Sequence, residues 1–161
     1  YNTSLGIYVC PADQSRVETH AGVTLPARRL RSYNMSQSIN GWPEGLGPLV
    51  SLIPVYRRLS DIREPGPAGL LTFIEVHEDS IYDTLFGIPI PNYWGDSRVW
   101  WDVPANRHNQ GCGFAFADAH AEIWRWRVPK VVKTRFASQV VTDQELPDFR
   151  RVQGGFRQSM D

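Results

Sequence analysis

The chain has 161 residues with 17 basic and 17 acidic side chains, so no net field draws it to nucleic acid or to anionic lipid. A hydrophobic content of 42% with six tryptophans excludes a disordered chain and suffices for one core, which predicts a single domain over residues 1–161. The longest apolar stretch, Leu49 to Val55 with Pro54 inside it, falls far short of a membrane span, so these residues are expected to make no membrane contact.

Enrichment in β-branched and aromatic residues predicts a first strand at Ile7 to Cys10 and a further strand or extended segment at Arg29 to Ser36. Pro43 to Pro48 reads as a loop. Leu49, Leu52, Ile53, Tyr56 and Leu59 then recur at helical spacing, which predicts a helix over Pro48 to Asp61, kinked at Pro54. After a loop at Glu64 to Ala68 comes a strand at Leu70 to His77, and after a loop at Ile88 to Trp94 come strands at Cys112 to Ala117 and His120 to Trp126. Thr142, three residues before Glu145, fits a capping box and starts a second helix reaching about Val152, with Phe149 and Val152 toward the core. Twelve prolines and thirteen glycines, scattered along the chain, predict many turns and long ordered loops. The sum is an α+β fold: a small antiparallel sheet with long loops.

The stretch from Arg107 to Trp126 carries the most chemistry. If Asp118-Ala119 is a two-residue turn, Ala117 faces His120, Ala115 faces Glu122 and Gly113 faces Trp124. Phe114, Phe116, Ala121 and Ile123 then form the core side, and His120, Glu122, Trp124 and Trp126 a half-open side. Ala119 is an awkward occupant of a turn that needs positive φ, so either the turn is of another type or it is strained. Glu75 and His77 share one face of their strand. Should that strand lie beside the hairpin, Glu75, His77, His108, Asp118 and His120 converge as candidate metal ligands. Carboxylate and carbonyl oxygens suit calcium, while a histidine-rich set with one carboxylate suits zinc.

Plainer roles exist for the same residues. Asp118 and Asp13 cap their own turns, His108 and His120 hydrogen-bond a loop to the hairpin, and the acids from Glu75 to Asp83 form a solvated loop. Trp94, Trp100, Trp101, Trp124 and Trp126 read as a sugar-stacking platform, yet one of the pair Trp100-Trp101 must point inward on a strand, so core packing accounts for at least half of the five. Cys10 and Cys112 allow one internal disulfide or remain two free thiols, one of them buried, and no spacing puts a histidine beside either sulfur.

His108, nine intervening residues and then Asp118 resembles the His-x9-Asp-Gly signature of prepilin-processing-associated proteins, which are pseudopilin-like secretion proteins. Cys10-Pro11-Ala12-Asp13 is similar to that family's Cys-Pro-x-Asp motif, and Arg31-Ser32-Tyr33-Asn34-Met35 to its Arg-Ser-Tyr-x-Met. Phe73 to Asp83 resembles its Phe-x-Asp-Glu-His-x-Asp-Ser-Ile, and Pro147-Asp148-Phe149-Arg150 its Pro-Asp-Leu-Arg. Ala119 departs from the signature glycine, and Glu75-Val76 stands where the pattern has Asp-Glu. The resemblance implies a pseudopilin-like head domain, here without the apolar N-terminal helix. It also implies periplasmic or cell-surface placement, sister subunits or secretion cargo as partners, and a calcium ion held mainly by Asp118, zinc being the alternative.

Two other functions fit the residues. In a metal-dependent hydrolase of small esters or lactones, Asp118 with one of His108 and His120 holds the ion and the other histidine acts as general base. A carbohydrate-binding module would use Trp94, Trp100 and Trp101.

Overall fold

The computed structural model describes residues 3–19, 21–39, 55–135 and 137–159. In chain order its elements are β1 (Arg16–Glu18), β2 (Thr24–Arg28), β3 (Tyr33–Ser36), β4 (Leu71–Glu75), β5 (Leu85–Phe86), α1 (Pro91–Trp94), β6 (Val99–Trp100), β7 (Gly111–Phe116), β8 (Ala121–Arg125), β9 (Gln139–Val140) and α2 (Leu146–Gln153). A five-stranded sheet in the order β5-β3-β4-β7-β8 is the body of the fold, with two small ribbons, β1-β2 and β6-β9, beside it. Its pairings are antiparallel except for β3 with β5. The expected α+β fold is therefore present, with one parallel contact near its edge.

The inner face of the sheet buries Ile74, Cys112, Phe114, Phe116 and Trp124, joined by Trp126 just past β8. Against them packs α2. Thr142 and Glu145 form the expected capping box: Glu145 N–H donates to Thr142 Oγ1 at 3.3 Å and Thr142 N–H to Glu145 Oε2 at 3.2 Å. Phe149 and Val152 are fully buried, as their spacing predicts, and Phe149 meets Trp100 edge-on at 4.8 Å between ring centres. At the far end of α2 the chain must come very close to β4. Leu71 N–H donates to Gly155 O at 2.8 Å, and a Cβ on Gly155 would stand only 2.5 Å from the Leu71 side chain.

The hairpin differs from the expected one by a single residue. Ala115 pairs with Ala121, Phe114 with Glu122 and Cys112 with Trp124. Phe116 N–H donates to His120 O and Ala119 N–H to Phe116 O, so the loop is the three residues Ala117-Asp118-Ala119, with Ala119 left-handed at φ 75°. A loop of this kind ends on a residue in the left-handed region, where glycine is the easy occupant. A slip of one residue turns a strand over. Trp124 and Trp126 therefore join Phe114 and Phe116 in the core, while Ile123, expected inside, is 60% exposed on the outer face beside Phe73.

Other expectations also need correcting. Ile7 to Cys10 is not a strand; residues Leu5–Tyr8 form a 3-10 turn whose Leu5, Ile7 and Tyr8 stay exposed, so no burial selects an extended form. The Pro43 to Pro48 loop and the first half of the Pro48 to Asp61 helix lie outside the described residues. In its described half, Tyr56 makes a bridge to Ile39 and Leu59–Asp61 is a 3-10 turn.

Candidate metal centre

Glu75 ends β4 on the outer face, directly beside Gly113 of β7. Glycine there leaves room for the carboxylate to lie over the sheet, where Oε2 accepts the Gly113 N–H at 3.0 Å. Glu75 is nonetheless completely buried, because two other segments cover it. One is the stretch from Arg107 to Gln110, where His108, Asn109 and Gln110 have φ of 54°, 58° and 61°. Three consecutive non-glycine residues in the left-handed region cost about 1–2 kcal/mol each, so tertiary contacts must hold them there. The other is the N-terminal segment around Cys10.

Arg107 is the hub. Its Nε donates to Glu75 Oε1 at 2.8 Å, and its two terminal nitrogens donate to Glu78 Oε2 at 2.7 Å and Val76 O at 2.8 Å. It also lies 3.8 Å from Asp13. Burial alone would lower the Arg107 pKa, but Glu75, Asp13 and Glu78 outweigh it and raise it. Asp13 shows the same contest. Burial pushes its carboxyl up, and hydrogen bonds from Ser32 and Ser15 with the charge of Arg107 bring it below the usual value. Asp13 does cap its own turn, accepting Ser15 N–H at 2.9 Å, and it also accepts the Ser32 hydroxyl at 2.6 Å. Ser32 Oγ in turn accepts Cys10 N–H.

The left-handed turn brings His108 Nε2 to 3.3 Å from Cys10 Sγ and 3.1 Å from Glu75 Oε2. Cys10 Sγ, a Glu75 oxygen and His108 Nε2 all lie within 4.8 Å of one another and form a set that can hold a metal ion. Among the described residues it is the one such set. Burial and the neighbouring Glu75 push the Cys10 thiol up, so by itself it is a protonated thiol and a poor nucleophile. Tyr33, at the rim, is raised to about 12 by burial and by the charge of Glu75. Beside it runs a groove of about 320 Å³, lined by His108, Tyr33, Phe73, Gly113 and Ile123.

The five expected ligands therefore do not converge. Glu75 and His108 meet, and the partner that joins them is Cys10. Asp118 and His120 form a separate, exposed group at the hairpin tip. His120 Nδ1 lies 2.5 Å from Asp118 Oδ1, its Nε2 lies 3.3 Å from Glu122 Oε1, and its ring stacks on Phe116. The Asp118 hydrogen bond raises the His120 pKa, and the same contact lowers that of Asp118. Asp118 also accepts His120 N–H at 3.2 Å, which is its turn-capping role. His77 stays apart, its Nδ1 accepting Asp79 N–H. With His108 and His120 in different groups, the expected pairing of one as ligand and the other as general base is not assembled.

Both cysteines are free. Cys10 faces the Glu75 carboxylate outside the sheet, whereas Cys112 belongs to the inner core and donates to the Glu75 carbonyl at 3.1 Å, so the sheet itself keeps the sulfurs apart. The tryptophans form no flat platform: Trp100 is fully buried, and Trp94 and Trp101 meet at 85°. Sequence reasoning missed Arg107 and Ser32 and gave Cys10 no metal role. The signal was present in the Cys10-Asp13 and Arg31-Asn34 motifs, but nothing local says that two segments so far apart close over Glu75. No family model matches the chain, and neither a curated protein nor a solved structure is significantly similar to it.

Proposed function

We infer that this chain is the globular head of a pseudopilin-like secretion or pilus-type subunit, working at the periplasmic or cell-surface side by assembly with sister subunits or cargo. One observation carries the reading. The separate pieces that resemble the family, Cys10 to Asp13, Arg31 to Asn34, Phe73 to Asp83 and His108, supply the groups that meet around Glu75 and Arg107. Residues drawn from four distant stretches into one buried polar knot are what a fold-specifying centre requires. The outer face also exposes Phe73 at 49% and Ile123 at 60%, side chains suited to contact with another subunit. Among the described residues no helix is long and apolar enough to cross a membrane.

The cation of this reading is calcium by resemblance, with zinc as the alternative. Calcium asks for six to eight oxygen ligands, and the Asp118 carboxylate is already bonded to His120, so the hairpin tip gives calcium little support. A metal-dependent hydrolase is the second reading, favoured by the groove that opens beside His108.

The test is expression of the complete gene in its native host. Trimming by prepilin peptidase and recovery of the protein in cross-linked assemblies support the subunit. An untrimmed, monomeric protein whose ester turnover disappears with His108→Asn would establish the hydrolase instead.

A further inference from the structure

We propose that Cys10, Glu75 and His108 bind a thiophilic divalent cation of the zinc class, which clasps the N-terminal segment to the outer face of the sheet. This deepens the cation part of the subunit reading but rests only on donor chemistry and geometry, and stands separately from it.

The donor atoms already have the spacing that such an ion requires. With Zn–S near 2.3 Å and Zn–N and Zn–O near 2.0–2.2 Å, the edges of a tetrahedron are about 3.5 Å for S···N and about 3.4 Å for N···O. Cys10 Sγ to His108 Nε2 is 3.3 Å, and His108 Nε2 to the two Glu75 oxygens is 3.1 and 3.3 Å. Opening these edges by a few tenths of an ångström admits the ion, and the third edge, Cys10 Sγ to a Glu75 oxygen, lies within 4.8 Å. A single imidazole nitrogen here faces both a thiol and a carboxylate, and its one proton can satisfy only one of them well. A cation between the three satisfies all at once.

The surroundings are those of a prepared ligand set. Arg107 Nε and Gly113 N–H fix the Glu75 carboxylate from behind, at 2.8 and 3.0 Å, the outer-shell hydrogen bonding that orients metal ligands. Asp13 and Glu78 offset the charge of Arg107, so the guanidinium does not leave the centre net positive. Thiolate and imidazole select zinc, or cobalt in its place, over calcium and magnesium. Three protein ligands leave a fourth position, and the groove lined by His108, Tyr33 and Phe73 gives a water or a partner's side chain access to it. Binding joins residues 98 positions apart, Cys10 and His108, so it stabilises the closed N-terminal segment directly.

The full chain, reduced and freed of metal with EDTA, is titrated with zinc chloride, cobalt(II) chloride and calcium chloride. Zinc is expected to raise Tm and calcium to leave it unchanged, and cobalt to give a near-ultraviolet thiolate-to-metal band. Cys10→Ser should abolish the band while keeping the metal-free melting transition, and Cys112→Ala should retain it. His108→Asn should weaken zinc binding at least about tenfold. Asparagine tolerates the left-handed backbone there, so this half-exposed site keeps the test open should Cys10→Ser fail to fold. Absence of both the band and the zinc-dependent Tm rise overturns the proposal, as does a band that survives Cys10→Ser. A chain that binds zinc without assembling overturns only the subunit reading, and one that assembles without binding zinc overturns only this proposal.

Discussion

Replacing Arg107 by alanine removes the one permanent positive charge in contact with Glu75. The Glu75 side chain has no exposure, and after the change it keeps Gly113 N–H at 3.0 Å, His108 at 3.1 Å and the Cys10 thiol, none of them a permanent charge. Breaking a buried pair from one side costs about 3–5 kcal/mol, because the remaining charge is stranded. The bond to Glu78 adds under about 1 kcal/mol, since that carboxylate is 41% exposed. A loss of about 3–5 kcal/mol is therefore expected in urea denaturation with EDTA present, at unchanged m value. The double variant Glu75→Gln with Arg107→Ala removes the stranded charge and should recover at least about 1 kcal/mol relative to Arg107→Ala alone. A loss below about 1 kcal/mol for the single variant, or strictly additive effects in the double, would refute the claim that burial of Glu75 makes Arg107 indispensable.

Asp102, in a cavity of about 290 Å³ with Trp101, Ser80 and Tyr82, is pushed by burial up to about 7 from 3.8, despite accepting Gly87 N–H. Because its folded value lies above the unfolded one, its contribution is complete below about pH 4 and is lost as pH rises to about 7. At about 1.36 kcal/mol per pH unit the full difference is a little over about 4 kcal/mol. The side chain is partly open to the cavity, so Asp102→Asn is expected to stabilise by about 1–3 kcal/mol at pH 8 and by little at pH 4; equal melting curves of variant and parent at pH 8 contradict this. Ala119→Gly relieves a left-handed alanine and should add about 0.5–1 kcal/mol, a Tm increase of about 1–4 °C by calorimetry. Trp100→Ala empties the space against Phe149 and should cost about 3–5 kcal/mol in chemical denaturation; a near-neutral result would return Trp100 to the surface.

The sequence by itself determined the α+β class, the strands on either side of Asp118, the capping box of Thr142 and Glu145, and the importance of Glu75 and His108. Each of these is a local property, set by a two-residue or helical period or by a cap three residues from its partner. The register of the hairpin was decided only in three dimensions. A two-residue and a three-residue loop differ by a few tenths of a kcal/mol locally, while burying Trp124 and Trp126 instead of Ile123 changes the core by several large side chains. The metal centre was decided there too. Cys10, Ser32, Glu75 and Arg107 carry no shared spacing, and they meet because the sheet sets β3 and β4 side by side and a left-handed turn folds His108 back over them. Long-range closure is a sum of many weak contacts, and no window of the chain contains that sum.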